Sequence, residues 1–67
     1  MNVVIIGSGN LATQLSLDMK EAGQNILQVY SRHEEHACEL AEKIGCRYTA
    51  DIDRIDKNAD IYIFSAI

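Results

Sequence analysis

Apolar positions along the chain follow two alternating patterns. Largely apolar runs at residues 3–6, 26–30 and 61–67, with a shorter segment at 46–49, predict four β-strands. Between these runs, apolar residues return every three or four positions, which is the spacing of one helical face. The resulting order, β-α-β-α-β-(short helix)-β, is typical of an α/β domain built on a parallel sheet.

Each of the two longer helices is predicted to bury one face. In the first helix, Leu11, Leu15 and Met19 recur every four residues and predict that face. The second helix is predicted from Glu34 to Ile44, and its buried stripe is expected to contain Ala37, Leu40, Ala41 and Ile44. A polar stretch follows, in which Ile52 is expected to point inward from a short helical turn.

Right-handed connections between parallel strands predict the layout of the sheet. They give the strand order 3-2-1-4, with helices on both faces of the sheet. The chain stops in or just after the fourth apolar strand, so we interpret residues 1–67 as part of a longer polypeptide. A ligand is expected to bind above the carboxyl ends of the strands, between the first and the fourth.

The first strand leads directly into a Gly-x-Gly-x-x-Ala motif at residues 7–12. Gly7 allows a tight turn out of the strand, and Gly9 has no Cβ, so backbone N–H groups can approach a pyrophosphate closely. Ala12 allows the helix to pack against the strand. The free N–H groups and the dipole at the helix start form an anion site. The motif therefore predicts a dinucleotide-binding turn.

The end of the second strand predicts which dinucleotide is preferred. NAD-binding turns carry an acidic residue here, about 20 residues after the glycines, to bind the ribose 2′-hydroxyl. This chain has Ser31 and Arg32 instead, a hydroxyl and a guanidinium that suit a 2′-phosphate. The sequence thus favours NADP(H). Two structural alternatives remain open. Ser31 has capping-box spacing to Glu34, with His33 as a competing cap, and Arg32 is also compatible with a solvated surface position.

Composition limits the partners that the protein can have. The chain has 48% hydrophobic and 24% charged residues and a net charge of −4, without a basic cluster. We therefore expect neither a nucleic-acid partner nor a membrane partner, and we expect a cytoplasmic protein. Cys38 and Cys46 are interpreted as buried or half-buried thiols that form no disulfide framework, and His33 and His36 as solvated side chains, so no metal site is predicted.

Three segments, at residues 6–12, 30–32 and 59–66, together resemble a known family. They are similar to the amino-terminal NADP-binding Rossmann domain of the pyrroline-5-carboxylate reductase-like group. That group belongs to the 6-phosphogluconate dehydrogenase-like superfamily, which also contains deazaflavin-dependent NADP reductases. The resemblance implies a cofactor site in three parts: Gly7, Ser8, Gly9, Asn10 and Leu11 around the pyrophosphate; Ser31 and Arg32 at the 2′-phosphate; Ser65 and Ala66 beside the ribose and nicotinamide. Relatives often read Ala-Val-Lys or Ala-Val-Pro after the fourth strand, where this chain has Ser-Ala-Ile.

The same resemblance implies an oxidoreductase that transfers a hydride to or from a small C=N or C=O substrate. Relatives carry a helical carboxyl-terminal domain that builds the substrate pocket and forms a homodimer, and this domain is absent from the chain. Residues 1–67 are then the amino-terminal part of the dinucleotide-binding domain, and we expect them to be inactive alone. Catalytic residues are unknown. The alternatives are a non-catalytic nucleotide-sensing or scaffolding module and a fold that binds another nucleotide.

Overall fold

The computed structural model describes residues 1–65 and contains four parallel strands, two α-helices and one 3₁₀ turn in that range. Their bounds are β1 (Asn2–Ile6), α1 (Asn10–Glu21), β2 (Asn25–Tyr30), α2 (Glu34–Ile44), β3 (Arg47–Thr49), the 3₁₀ turn (Ile52–Arg54) and β4 (Ile61–Phe64). The strands lie in the order β3-β2-β1-β4, which confirms the predicted fold class and strand order. The carboxyl ends of β2, β1 and β4 therefore meet along one edge.

Both α-helices pack on one face of the sheet, whereas the prediction has helices on both faces; within residues 1–65 the other face carries only the short 3₁₀ turn. The side chains of Val3 and Ile5 in β1 and of Ile26 and Val29 in β2 form one buried cluster. From the helices this cluster receives Ala12, Leu40 and Ile44. Since Ala12 belongs to α1 and the other two to α2, the helices share this face. Burying these aliphatic side chains provides the main stabilisation of the fold, at about 1.5–3 kcal/mol for each large one.

The opposite face of the sheet is covered by the segment that carries the 3₁₀ turn. Gln28 points to this face and is only 4% exposed. Its amide nitrogen donates to the carbonyl of Arg54 at 3.1 Å, and its amide oxygen accepts from the N–H of Asp56 at 2.7 Å. A register shift between Val3 and Val4 in the β1–β2 pairing places Gln28 opposite Val4. Gln28 thereby fastens the segment after β3 to the middle of the sheet.

Two apolar side chains point outward where the spacing predicts burial. Leu11 is 61% exposed, because the buried line of α1 passes through Ala12 and Ser16. Ser16 is tolerated there because its hydroxyl donates to the carbonyl of Ala12 at 2.6 Å. Ile52 is 67% exposed. The carboxylate of Asp51 caps the 3₁₀ turn, and the first residue of that turn faces solvent.

Each α-helix is followed within two residues by a glycine with a positive φ. Gly23 follows α1 at φ 88°, and the N–H groups of Gly23 and Gln24 bond to the carbonyls of Lys20 and Met19. Such a left-handed residue after a helix satisfies carbonyls that would otherwise lack partners. Neither helix within residues 1–65 has the length and apolar character that a membrane crossing requires.

Candidate functional site

The chain leaves β1 through a turn that requires glycine. Gly7 has φ 131°, a region that side chains with a Cβ rarely adopt. Its N–H donates to the carbonyl of Tyr30 at 2.8 Å, which extends the β1–β2 pairing by one residue. The tight turn predicted for this glycine is therefore present, and it directs the backbone across the end of the sheet.

Gly9 occupies the N-cap position of α1 in an ordinary conformation. Its φ of −74° and ψ of −172° are accessible to any residue, and an added Cβ would meet nothing within 4 Å. Neither the backbone nor the packing of the described residues therefore requires glycine here. The remaining reason for a glycine at this position is that it leaves space for another molecule to approach the backbone closely.

The start of α1 carries free hydrogen-bond donors. No side chain caps the helix, and its first turn contains no acidic residue. Within residues 1–65, the N–H groups of residues 8–12 have no hydrogen-bond acceptor. These donors lie at the positive end of the helix dipole, where an anion is stabilised.

The end of β2 brings a buried hydroxyl beside the turn. Ser31 is 5% exposed, and its Oγ lies 2.9 Å from the Oγ of Ser8. It also accepts a hydrogen bond from the N–H of His33 at 3.3 Å. His33, and not Ser31, occupies the N-cap position of α2, so the capping-box alternative for Ser31 is wrong. The side chain of His33 makes no capping hydrogen bond. Ser31 is instead joined to the turn after β1.

Arg32 extends from the same strand end and is exposed. Ion pairs within residues 1–65 join Arg47 to Asp56 and Arg54 to Asp51 and leave Arg32 without a carboxylate within 4 Å. Its guanidinium is thus available for a ligand anion.

Ser65 follows β4 at the third strand end. It is 9% exposed, and its Oγ is buried without a hydrogen-bond partner within the described residues. Buried hydroxyls are nearly always paired in native proteins. Within residues 1–65 the Ser65 hydroxyl is therefore available to a further partner.

These three strand ends enclose a cavity of about 400 Å³. It is lined by seven of the nine residues that the sequence indicates: Gly7, Ser8, Gly9, Leu11, Ser31, Arg32 and Ser65. Asn10 is exposed at the helix start and is not part of the lining, and Ala66 lies outside the described residues. Leu11, which is wrongly predicted as a core residue, contributes an exposed apolar wall.

Three further residues in the lining do not belong to the predicted set. They are Ile6, Tyr30 and His33, and each adjoins a motif residue in sequence. In a parallel sheet the carboxyl ends of neighbouring strands lie side by side. Ile6 and Tyr30 are the last residues of β1 and β2, so their position in the sequence could have identified them as lining residues. The described lining contains one arginine and no carboxylate, which favours an anionic ligand.

A second, more open hollow of about 700 Å³ lies against α2. Arg32 and His33 border both hollows, whereas Glu34, Glu35 and Glu39 border only this one. Its acidic rim is unfavourable for a phosphate group. No three His, Cys, Asp or Glu side chains in residues 1–65 are grouped as a metal site would require.

A family model described as NADP oxidoreductase, coenzyme F420-dependent, matches residues 2–66 of the chain. The match confirms the resemblance to an NADP-binding Rossmann domain and supports the predicted cofactor, NADP. No curated protein matches the chain.

Three solved structures have the same fold as this chain. The chain is similar to a Bacteroides fragilis protein assigned as an NADP oxidoreductase, with 45% identity and a TM-score of 0.95. The match covers 98% of this chain and 26% of that protein, so the chain spans about a quarter of its length. Two further structures, at 17% and 20% identity, show the fold alone. One is the WlbA dehydrogenase of Chromobacterium violaceum in complex with NADH and UDP-GlcNAcA (TM-score 0.89, covering 98% of this chain and 20% of that one). The other is assigned as an NADPH-dependent oxidoreductase of Desulfitobacterium hafniense (TM-score 0.81, covering 97% and 20%).

Proposed function

Because the chain belongs to the family of coenzyme F420-dependent NADP oxidoreductases, we propose that the cavity at its three strand ends holds NADP(H). One observation carries this assignment. The described lining has no carboxylate, and it combines the guanidinium of Arg32 with N–H groups at the start of α1 that have no acceptor within residues 1–65. Such a site attracts phosphate groups at both ends of its length. NAD(H), which lacks the 2′-phosphate, gains nothing from the arginine.

The three parts of the cavity have separate roles in this proposal. N–H groups behind Gly7 and Gly9, with Ser8, Asn10 and Leu11 around them, hold the pyrophosphate. Ser31 and Arg32 bind the 2′-phosphate. The Ser65 hydroxyl, unpaired within residues 1–65, meets the ribose on the nicotinamide side, and the resemblance implies the same role for Ala66.

Bound NADPH supplies a hydride, and this chain's residues fix its position. Ile6 and Leu11 provide apolar side chains in the lining of the cavity. We propose that the groups that orient and protonate the substrate belong to parts of the polypeptide outside this chain. On the resemblance stated above, the whole protein is a cytoplasmic homodimer that acts on a small C=N or C=O substrate. Coenzyme F420 is a second candidate for the hydride partner, because the description of the family names it.

Binding and turnover are tested separately in the full-length protein. Titration with NADPH and NADH is expected to show tighter binding of NADPH. Loss of NADPH absorbance is then followed with cyclic imines, 2-ketoacids and oxidised coenzyme F420 as acceptors. Turnover with one class identifies the partner, whereas binding without turnover across the panel favours the sensing module. Failure to bind either nucleotide would refute the proposal.

A further inference from the structure

We draw no further inference here: the strongest candidate, the exposed apolar surface patch that Tyr62 and Phe64 form on the edge strand β4, carries nothing because nothing within residues 1–65 shows what covers it.

Discussion

Ser65 is joined to Ile6 through its backbone, while its hydroxyl has no partner within residues 1–65. The N–H of Ser65 donates to the carbonyl of Ile6 at 2.9 Å, which extends the β1–β4 pairing beyond Phe64. The Oγ is buried and lacks a hydrogen bond in that range. Leaving a buried hydroxyl unpaired costs about 1–3 kcal/mol. A ligand in the adjoining cavity would supply the missing partner.

Replacement of this hydroxyl is expected to separate stability from binding. In Ser65→Ala, the free energy of unfolding of the nucleotide-free protein should stay the same or rise by about 1 kcal/mol, because an unpaired polar group is removed. Affinity for NADPH should fall by about three- to tenfold. Urea unfolding and fluorescence titration measure the two effects. Ser16→Ala is the control, since that buried hydroxyl already bonds to Ala12 and lies outside the cavity lining. If Ser65→Ala made the protein less stable and left NADPH binding normal, the assignment would be contradicted.

Arg32 is expected to determine the choice between the two dinucleotides. Arg32→Ala removes the one cation of the described lining, so NADPH binding should weaken by about 1–3 kcal/mol, as for a lost charged hydrogen bond. NADH binding should remain within about twofold of wild type, a change as small as that of a typical surface substitution. Arg54→Ala provides a matched loss of charge outside the cavity lining and should change neither. Equal losses for both nucleotides would show that Arg32 does not contact the 2′-phosphate.

The two glycines that flank α1 are expected to respond in opposite ways. Gly9→Ala keeps an allowed backbone conformation and fills open space, so the free energy of unfolding should change by less than about 1 kcal/mol. The new Cβ crowds the pyrophosphate, and overpacking of this kind should weaken NADPH about five- to a hundredfold. Gly23→Ala, at φ 88°, should instead cost about 1–2 kcal/mol of stability and leave affinity unchanged. Thermal melts and NADPH titrations of both variants provide the comparison, and unchanged affinity in Gly9→Ala would exclude a phosphate at this turn.

The layout of the fold could be predicted from the sequence because burial repeats with the geometry of each element. Val3 and Ile5 lie in an unbroken β-branched run, which is typical of a strand covered on both faces. Leu40 and Ile44 keep the four-residue spacing of one helical stripe. Strand order then follows from the handedness of the connections.

Contacts that depend on rotation and register could not be predicted in this way. The exposure of Leu11 depends on where α1 begins, because the first residue of a helix sets the direction of every later side chain. The contact between Ser8 and Ser31 depends on how β1 and β2 align at their ends. Periodicity carries no information on either alignment. The residue types of the site were therefore predictable, and the bonds between them were not.

Gln28 is expected to be a major contributor to the stability of this sheet. Gln28→Leu keeps the buried volume but leaves the N–H of Asp56 and the carbonyl of Arg54 without their partner. Each unpaired group costs about 1–3 kcal/mol when it stays buried, and somewhat less if water reaches it. Urea unfolding should show a loss in that range. The control, Gln14→Leu, alters an exposed glutamine on α1 and should change stability by less than about 0.5 kcal/mol. Equal values for the two variants would mean that the segment after β3 is not fastened through Gln28.

Asp56 is expected to make stability depend on pH in the acid range. The N–H of Asn58 at 2.8 Å and the guanidinium of Arg47 at 2.7 Å hold the pKa of this carboxyl below its ordinary value of 3.8. A lowered pKa in the folded state means that the contribution is fully present above pH 3.8 and is lost as the pH falls through the folded-state value. Wild type should therefore lose more stability than Asp56→Asn when the pH is lowered from about 5 to about 2.

Asp53→Asn, which removes a nearby carboxylate without a side-chain hydrogen bond in residues 1–65, should follow the wild-type curve. NMR titration of the Asp56 carboxyl gives the midpoint directly, and a midpoint at or above the ordinary value would show that neither partner stabilises its charge.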